Sequence, residues 1–379
     1  MGPLSGFRII ELAGIGPGPM GAMMLGDMGA DVIRIDRPAA EPTSSIPRRY
    51  LVHGRSRRSI VVDLHKPDGA RVVLRLVARA DALIDPFRPG VAERLGIGPD
   101  ACLAANERLV YARMTGWGQE GPHAGRAGHD INYIALTGVL HAVGRAGDPP
   151  VPPLNLVGDY GGGGMLLAFG IVCGLLDAQR TGKGQVVDTA MVDGAALLFG
   201  SILGRHGAGV WTDRRGVNLL DSGAPFYNVY ETSDGEHVSI GAIEPQFYAL
   251  LLDRLGLATE ELPPQMDQRG WPEITRRLAA IFRTKTRDEW CRLLEDSDVC
   301  FAPVLSIADA PHHHHAQARR AYVDVDGFLQ PAPAPRFSRT PGGVGSAAPS
   351  RGAHGDEVLA QCGFGPDEIE ALRRAGVVG

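Results

Sequence analysis

The chain has 379 residues, enough to bury a large core and to form two domains. Hydrophobic residues are 44% and charged residues 21%, the balance of a globular protein. A net charge of −5 excludes a chain that binds nucleic acid through its overall electrostatics.

In chain order, Phe7 to Leu12 reads as a buried strand, Gly14 to Gly18 as a turn, Pro19 to Gly29 as a helix and Asp31 to Asp36 as a second strand. Strand, glycine turn, helix and strand make a βαβ unit, which predicts a parallel sheet covered by helices. The pattern repeats over Ser59 to Leu64, a helix from Asp68 to Ala78, and Ala82 to Ile84. Arg108 to Met114 is a further strand. A long apolar helix follows Asp159 and stops near Arg180, where Thr181-Gly182-Lys183-Gly184 ends it. Gln185 to Ala190 is a strand and Met191 to Gly204 is helical. The character then changes. Phe226 to Thr232 and His237 to Ile240 flank a hairpin turn, and helices follow over Pro245 to Leu255, Trp271 to Phe282 and Thr286 to Leu294. The segment from Gly327 to Ser350 reads as extended or loop, and a short helix spans Pro366 to Ala375. The fold class is α/β, a Rossmann-like large domain with a smaller α+β domain.

Cys102, Cys173, Cys291, Cys300 and Cys362 are scattered and lack metal-type spacing. Buried free thiols in a reducing compartment are expected. The N-terminus has no basic region followed by an apolar core, so no signal peptide is read there and a cytoplasmic location is expected. The uncharged run Tyr160 to Leu176 carries six glycines and is short for a membrane span, so it is expected to be a buried core helix.

Gly16-Pro17-Gly18-Pro19-Met20-Gly21 matches the GxGxxG dinucleotide fingerprint, and Asp36 ends the next strand. Pro17 and Pro19, however, remove N–H groups that would cradle a pyrophosphate, and Arg37 puts a cation beside the acid. A turn packed closely on its helix is the better reading, and an NAD-dependent oxidoreductase is a rival.

Two residues carry the sharper chemistry. Asp159 stands between Gly158 and the run Gly161 to Gly164. Bare backbone there lets a ligand approach, and a following helix N-terminus would stabilise an enolate oxygen. The plain alternative is an N-cap aspartate. His129 follows the loop Gly125 to Gly128 and precedes an apolar segment, again a loop-to-helix junction. Histidine titrates near neutral pH and both takes and gives a proton. Arg34, Arg37, Arg55, Arg57, Arg58, Arg88 and Arg94 are either a solvated face or a site for a polyphosphate ligand such as coenzyme A. The methionines near both glycine loops are core by default, and an adaptable acyl surface otherwise. His312 to His315 cannot all aim at one ion, so no native metal is expected, only weak adventitious binding.

With these residues in place the chain resembles the family III CoA-transferases. The resemblance rests on Glu11 to Pro19, Leu25 to Val32, Arg88-Pro89-Gly90-Val91, Thr115 to Gln119, Gly128-His129-Asp130, Gly182 to Asp188 and Gly241 to Tyr248. It runs over essentially the whole chain, although the segment after Ser350 is less family-like. It implies an interlocked homodimer with no membrane or nucleic-acid partner. It also implies a CoA-binding large domain over 1–190 and 328–379, a linker helix and loop over 191–225, a small domain over 226–315 and a return linker over 316–327. By position it implies that His129 and Asp159 are catalytic acid/bases and that Glu244 comes from the partner chain beside the histidine. The implied CoA contacts are Ile15, Arg37, Val62, Asp63, Leu64, His65, Pro86, Phe87, Arg88, Arg94, Gly128, Asp130, Ile131, Asn132, Tyr133 and Asn155. His65 stands where the family usually has lysine. The transferase branch shares the aspartate, as a nucleophile, and generally lacks the histidine. His129 therefore implies the racemase branch, with 1,1-proton transfer on a 2-methylacyl-CoA and no cofactor beyond the CoA of the substrate. The alternatives are CoA transfer through Asp159 and a non-catalytic acyl-CoA binding protein.

Overall fold

A computed structural model describes residues 2–38 and 46–379. Among these, the chain forms two compact units. The first comprises the chain up to Thr137, Leu154–Leu198 and Ala318–Gly379; the second comprises Gly138–Pro153 and Phe199–Gln317.

The first unit is built on six parallel strands: β1 (Arg8–Leu12), β2 (Asp31–Asp36), β3 (Arg58–Val61), β4 (Ala82–Asp85), β5 (Val110–Thr115) and β6 (Gln185–Ala190). Their order is β3-β2-β1-β4-β5-β6, the doubly wound order of dinucleotide-binding folds. Strands buried on both faces read as apolar runs, which is why Ile9 to Leu12 and Ala82 to Ile84 were legible. Alternate side chains feed opposite layers. Ile9, Ile84 and Val110 join Leu25, Leu167 and Ile171 on one face. Ile10, Leu83 and Tyr111 join Leu76, Leu359 and Leu372 on the other.

The glycine run has a different purpose from the one expected. Leu156–Met165 is a π-helix that continues into the α-helix Leu166–Thr181. Gly162, Gly163 and Gly164 are buried in it. A Cβ on Gly162 would lie 2.7 Å from the Ala195 nitrogen, and one on Gly163 would lie 2.8 Å from Pro17. The run therefore lets neighbouring helices close on the π-helix, and does not bare backbone for a ligand. The α-helix beyond it is buried on one side only. Ile171 and Leu175 pack on the sheet, while Phe169 and Leu176 are exposed.

The second unit holds a small antiparallel sheet of β7 (Tyr227–Glu231), β8 (His237–Gly241) and β9 (Phe301–Pro303). Helices Pro245–Arg254, Trp271–Phe282 and Arg287–Leu294 share its core around Phe226, Trp271 and Phe282. Thr286 caps the last of these helices in a capping box with Glu289. This unit starts earlier than the expected 226. It also takes in Gly138–Pro153, because Arg145 bonds Asn228 and Arg215 bonds the His141 carbonyl.

Back in the first unit, β10 (Tyr322–Val325) and β11 (Phe328–Pro331) form a hairpin, whose second strand opens the segment read as extended or loop from Gly327. Asp326 and Gly327 both have positive φ, the two-residue turn that an Asp-Gly pair favours. Of the five free cysteines, Cys102 and Cys362 are buried as expected, whereas Cys173 and Cys300 are exposed and Cys291 is intermediate.

Candidate active site

In a doubly wound sheet, ligands bind beyond the carboxyl ends of the strands, where the winding reverses. Here that point lies between β1 and β4. The loops Ala13–Pro17 and Pro86–Pro89 leave those strands and line a cleft of ≈ 690 Å³. His129, Tyr133, Asn155 and Asp159 line the same cleft. A second hollow of ≈ 560 Å³, lined by Val62, Asp63, Leu64 and His65, shares Ala13, Asp36, Arg37 and Phe87 with the first. The two form one groove from the β3 end to the His129–Asp159 end.

Asp159 lies in the first turn of the π-helix rather than at an N-cap. Its N–H donates to Asp130 Oδ1 at 2.8 Å, so that group is not free for an oxyanion. Asn155 Nδ2 donates to its Oδ2 at 3.0 Å. Asp130 is buried beneath it, and Gly158 has to be glycine because a Cβ would lie 2.6 Å from Asp130 Oδ1. Burial raises the Asp159 pKa above its ordinary value. The Asn155 hydrogen bond opposes the rise, the Asp130 charge adds to it and His129 opposes it. A desolvated carboxylate of this kind is a stronger base than a solvated one.

The glycine-rich fingerprint belongs to this carboxylate. Gly16 has φ +65, and a Cβ on it would lie 3.2 Å from Asp159 Oδ2. Asp36, the expected ribose ligand of a dinucleotide site, instead accepts from Arg34 and Ser59. The turn after β1 is a wall of the Asp159 site, and both oxygens of Asp36 are already engaged within the protein.

His129 precedes the helix Asp130–Leu136 as its N-cap. The Asn132 side chain accepts the His129 backbone N–H at 3.1 Å, fixing the junction. The Tyr133 hydroxyl donates to the Gly128 carbonyl, and its ring meets Trp117 edge-on at 4.7 Å. Gly116 and Gly128 leave room for that ring, since a Cβ at Gly116 would lie 2.1 Å from it. Asp130 and Asn132 line neither hollow; Asp130 accepts the Asp159 N–H and Asn132 accepts the His129 N–H. Ile131 and Arg94 also line neither hollow. Glu244 heads the helix Pro245–Arg254 of the second unit.

The basic residues divide sharply. Arg55 and Arg57 are buried in ion pairs with Asp27 and Glu11, Arg58 pairs with Asp31, and Arg34 pairs with Asp36. Arg55, Arg57 and Arg58 are structural, whereas Arg34 also lines the cleft. Among the described residues, no carboxylate pairs with Arg37 or Arg88, both exposed at the groove. Arg126 and Arg351 also line the cleft and were not singled out in the sequence. Arg351 arrives from a segment with no local signal of its own.

The raised pKa of Asp159 has a consequence for stability. A group whose folded pKa exceeds its unfolded value stabilises the fold only when protonated. The contribution of Asp159 is thus most favourable below the ordinary value of 3.8 and declines as pH rises through the folded value. At neutral pH the buried charge is a cost, which an amide would remove. Asp159→Asn is expected to unfold at a higher temperature than the wild type at neutral pH, and the gap is expected to close as pH falls towards 3.8. Parallel thermal melts across that range test it, and a variant less stable than wild type at neutral pH contradicts it.

The sequence profile of CoA-transferase family III matches residues 4–355. α-Methylacyl-CoA racemase of Mus musculus is 47% identical over 99% of this chain and 97% of its own. The Homo sapiens protein of the same name is 44% identical over 99% and 97%. A CAIB/BAIF family protein from Brucella suis has a crystal structure that superposes with TM-score 0.83, at 26% identity, over 95% of this chain and 99% of its own.

Proposed function

This chain belongs to CoA-transferase family III, and we propose that it interconverts (R)- and (S)-2-methylacyl-CoA by two-base proton transfer. One observation carries the reading: His129 and Asp159 line a single cleft at the switch point of the sheet. A CoA-transferase needs only the carboxylate, as nucleophile. A second ionisable group beside it gives a proton donor for the other face of a planar enolate. One residue takes the α-proton, and the other residue returns a proton from the opposite side of the enolate. The thioester already acidifies the α-proton, so the mechanism calls for no metal or redox cofactor.

The CoA moiety lies along the groove towards Val62–His65, with Arg37 and Arg88 taking its phosphates. The protein acts as an interlocked homodimer in which a partner's Glu244 orients His129. The exposed apolar side chains Phe169, Leu176, Leu197 and Leu198 of the large unit support such pairing. A mass in solution equal to one chain removes that part of the proposal. The location we propose is cytoplasmic.

Incubation of one enantiomer of a 2-methylacyl-CoA in deuterated water tests the activity. Deuterium is expected at the α-carbon together with inversion. CoA passing to a free acid, with a hydroxylamine-sensitive adduct on Asp159 and no α-exchange, would assign the chain to the transferase reaction instead. A panel of branched, sterol-side-chain and arylpropionyl thioesters then ranks the acyl group.

A further inference from the structure

We infer that the second unit carries a transition-metal site formed by Glu295, His313 and His314. The histidine run cannot supply one ion by itself, but the fold adds a carboxylate from elsewhere in the chain. His313 Nε2 lies 2.8 Å from Glu295 Oε1, and His314 Nε2 lies 3.7 Å from the same oxygen. The two imidazoles lie against each other, tilted by 34°, with centroids 4.4 Å apart. Ligand atoms of all three residues lie within 4.8 Å of one another. In a tetrahedral zinc site, bonds of about 2.0–2.1 Å place neighbouring ligands about 3.3 Å apart. Small side-chain rotations bring the three to that spacing.

A simple ion pair explains His313 but leaves His314 without a purpose. At 3.7 Å its ring is too far for a hydrogen bond to Glu295, yet it lies against its neighbour, tilted by 34°, with the side chain 71% exposed. A divalent cation at their shared focus satisfies both rings in neutral form, together with the carboxylate. Two imidazoles and one carboxylate select zinc-type ions over magnesium or calcium. Binding at His313 Nε2 moves that ring's proton to Nδ1. The cost is the long 3.3 Å contact that Nδ1 accepts from the His315 N–H.

The position gives the ion a task. Glu295 ends the helix Arg287–Leu294, and His313 and His314 begin the helix His314–Ala318, where the chain leaves the second unit. A metal there clips the exit of the chain to the body of its unit.

Calorimetric titration of the metal-free full-length chain with zinc sulfate tests this. One zinc per chain is expected, bound in preference to magnesium. Glu295→Gln, His313→Gln and His314→Gln should each weaken binding by at least about tenfold, as loss of metal-site partners does. His312→Gln and His315→Gln should bind as the wild type does. Zinc should also raise the unfolding temperature of the wild type but not that of His314→Gln, whose side chain is 71% exposed and cannot fail through misfolding. Equal weakening by all four histidine variants, or none by Glu295→Gln, would reduce the site to a loose histidine tract and overturn the inference.

Discussion

Asp159→Asn is expected to slow racemisation by about 10³-fold, the middle of the range for losing a positioned acid or base. The amide keeps the size of the carboxyl. It also keeps an oxygen to accept from Asn155 Nδ2, and the backbone N–H still reaches Asp130. What it loses is the ability to take a proton. The change should therefore fall on kcat, because the CoA contacts proposed above lie at the Arg37 and Val62–His65 end of the groove. Chiral analysis of the product against time, at several substrate concentrations, separates kcat from KM. Retention of the rate within about tenfold would remove the carboxylate from the proton-transfer step. The same variant is expected to be more heat-stable at neutral pH. Activity and stability then move in opposite directions at one residue, the pattern of a site held charged against its environment.

Much of this was legible in the sequence, and the exceptions have a common cause. The parallel sheet was legible because its strands are buried on both faces and read as apolar runs between glycine turns. Helices Trp271–Phe282 and Arg287–Leu294 were legible from their periodicity and the Thr286–Glu289 pair. The short strand Phe301–Pro303 was not, because three edge residues ending in proline carry no period. Glycines were only partly legible. The close turn at Gly16 was expected, but not that it makes room for Asp159; Gly162 to Gly164 looked like a ligand approach and instead make room for helices. A glycine announces close approach, but only the fold says by what. The arginines behave in the same way. Arg55 and Arg57 resemble Arg37 in sequence, yet their carboxylates come from Asp27 and Glu11, far away along the chain. Asp130 shows the limit most clearly: its contact with the Asp159 N–H spans 29 residues, and no local pattern announces it.

His129→Ala should abolish inversion while sparing exchange from one enantiomer. With the imidazole gone, Asp159 still removes the α-proton that faces it. The enolate then recovers a proton only from the same side, because no donor stands on the other. In deuterated water that enantiomer gains deuterium and keeps its configuration, whereas its mirror image, whose proton faced His129, exchanges about 10²–10⁴-fold more slowly. The helix start should survive, since Asn132 holds the backbone N–H at position 129 and not the ring. This asymmetry is the signature of two bases on opposite faces. A single base that swings between faces would lose or keep both enantiomers together. A nucleophilic Asp159 would show no dependence of α-exchange on the histidine. Normal exchange and racemisation by His129→Ala would end the two-base mechanism whatever Asp159→Asn does, so the histidine variant decides between two bases and one.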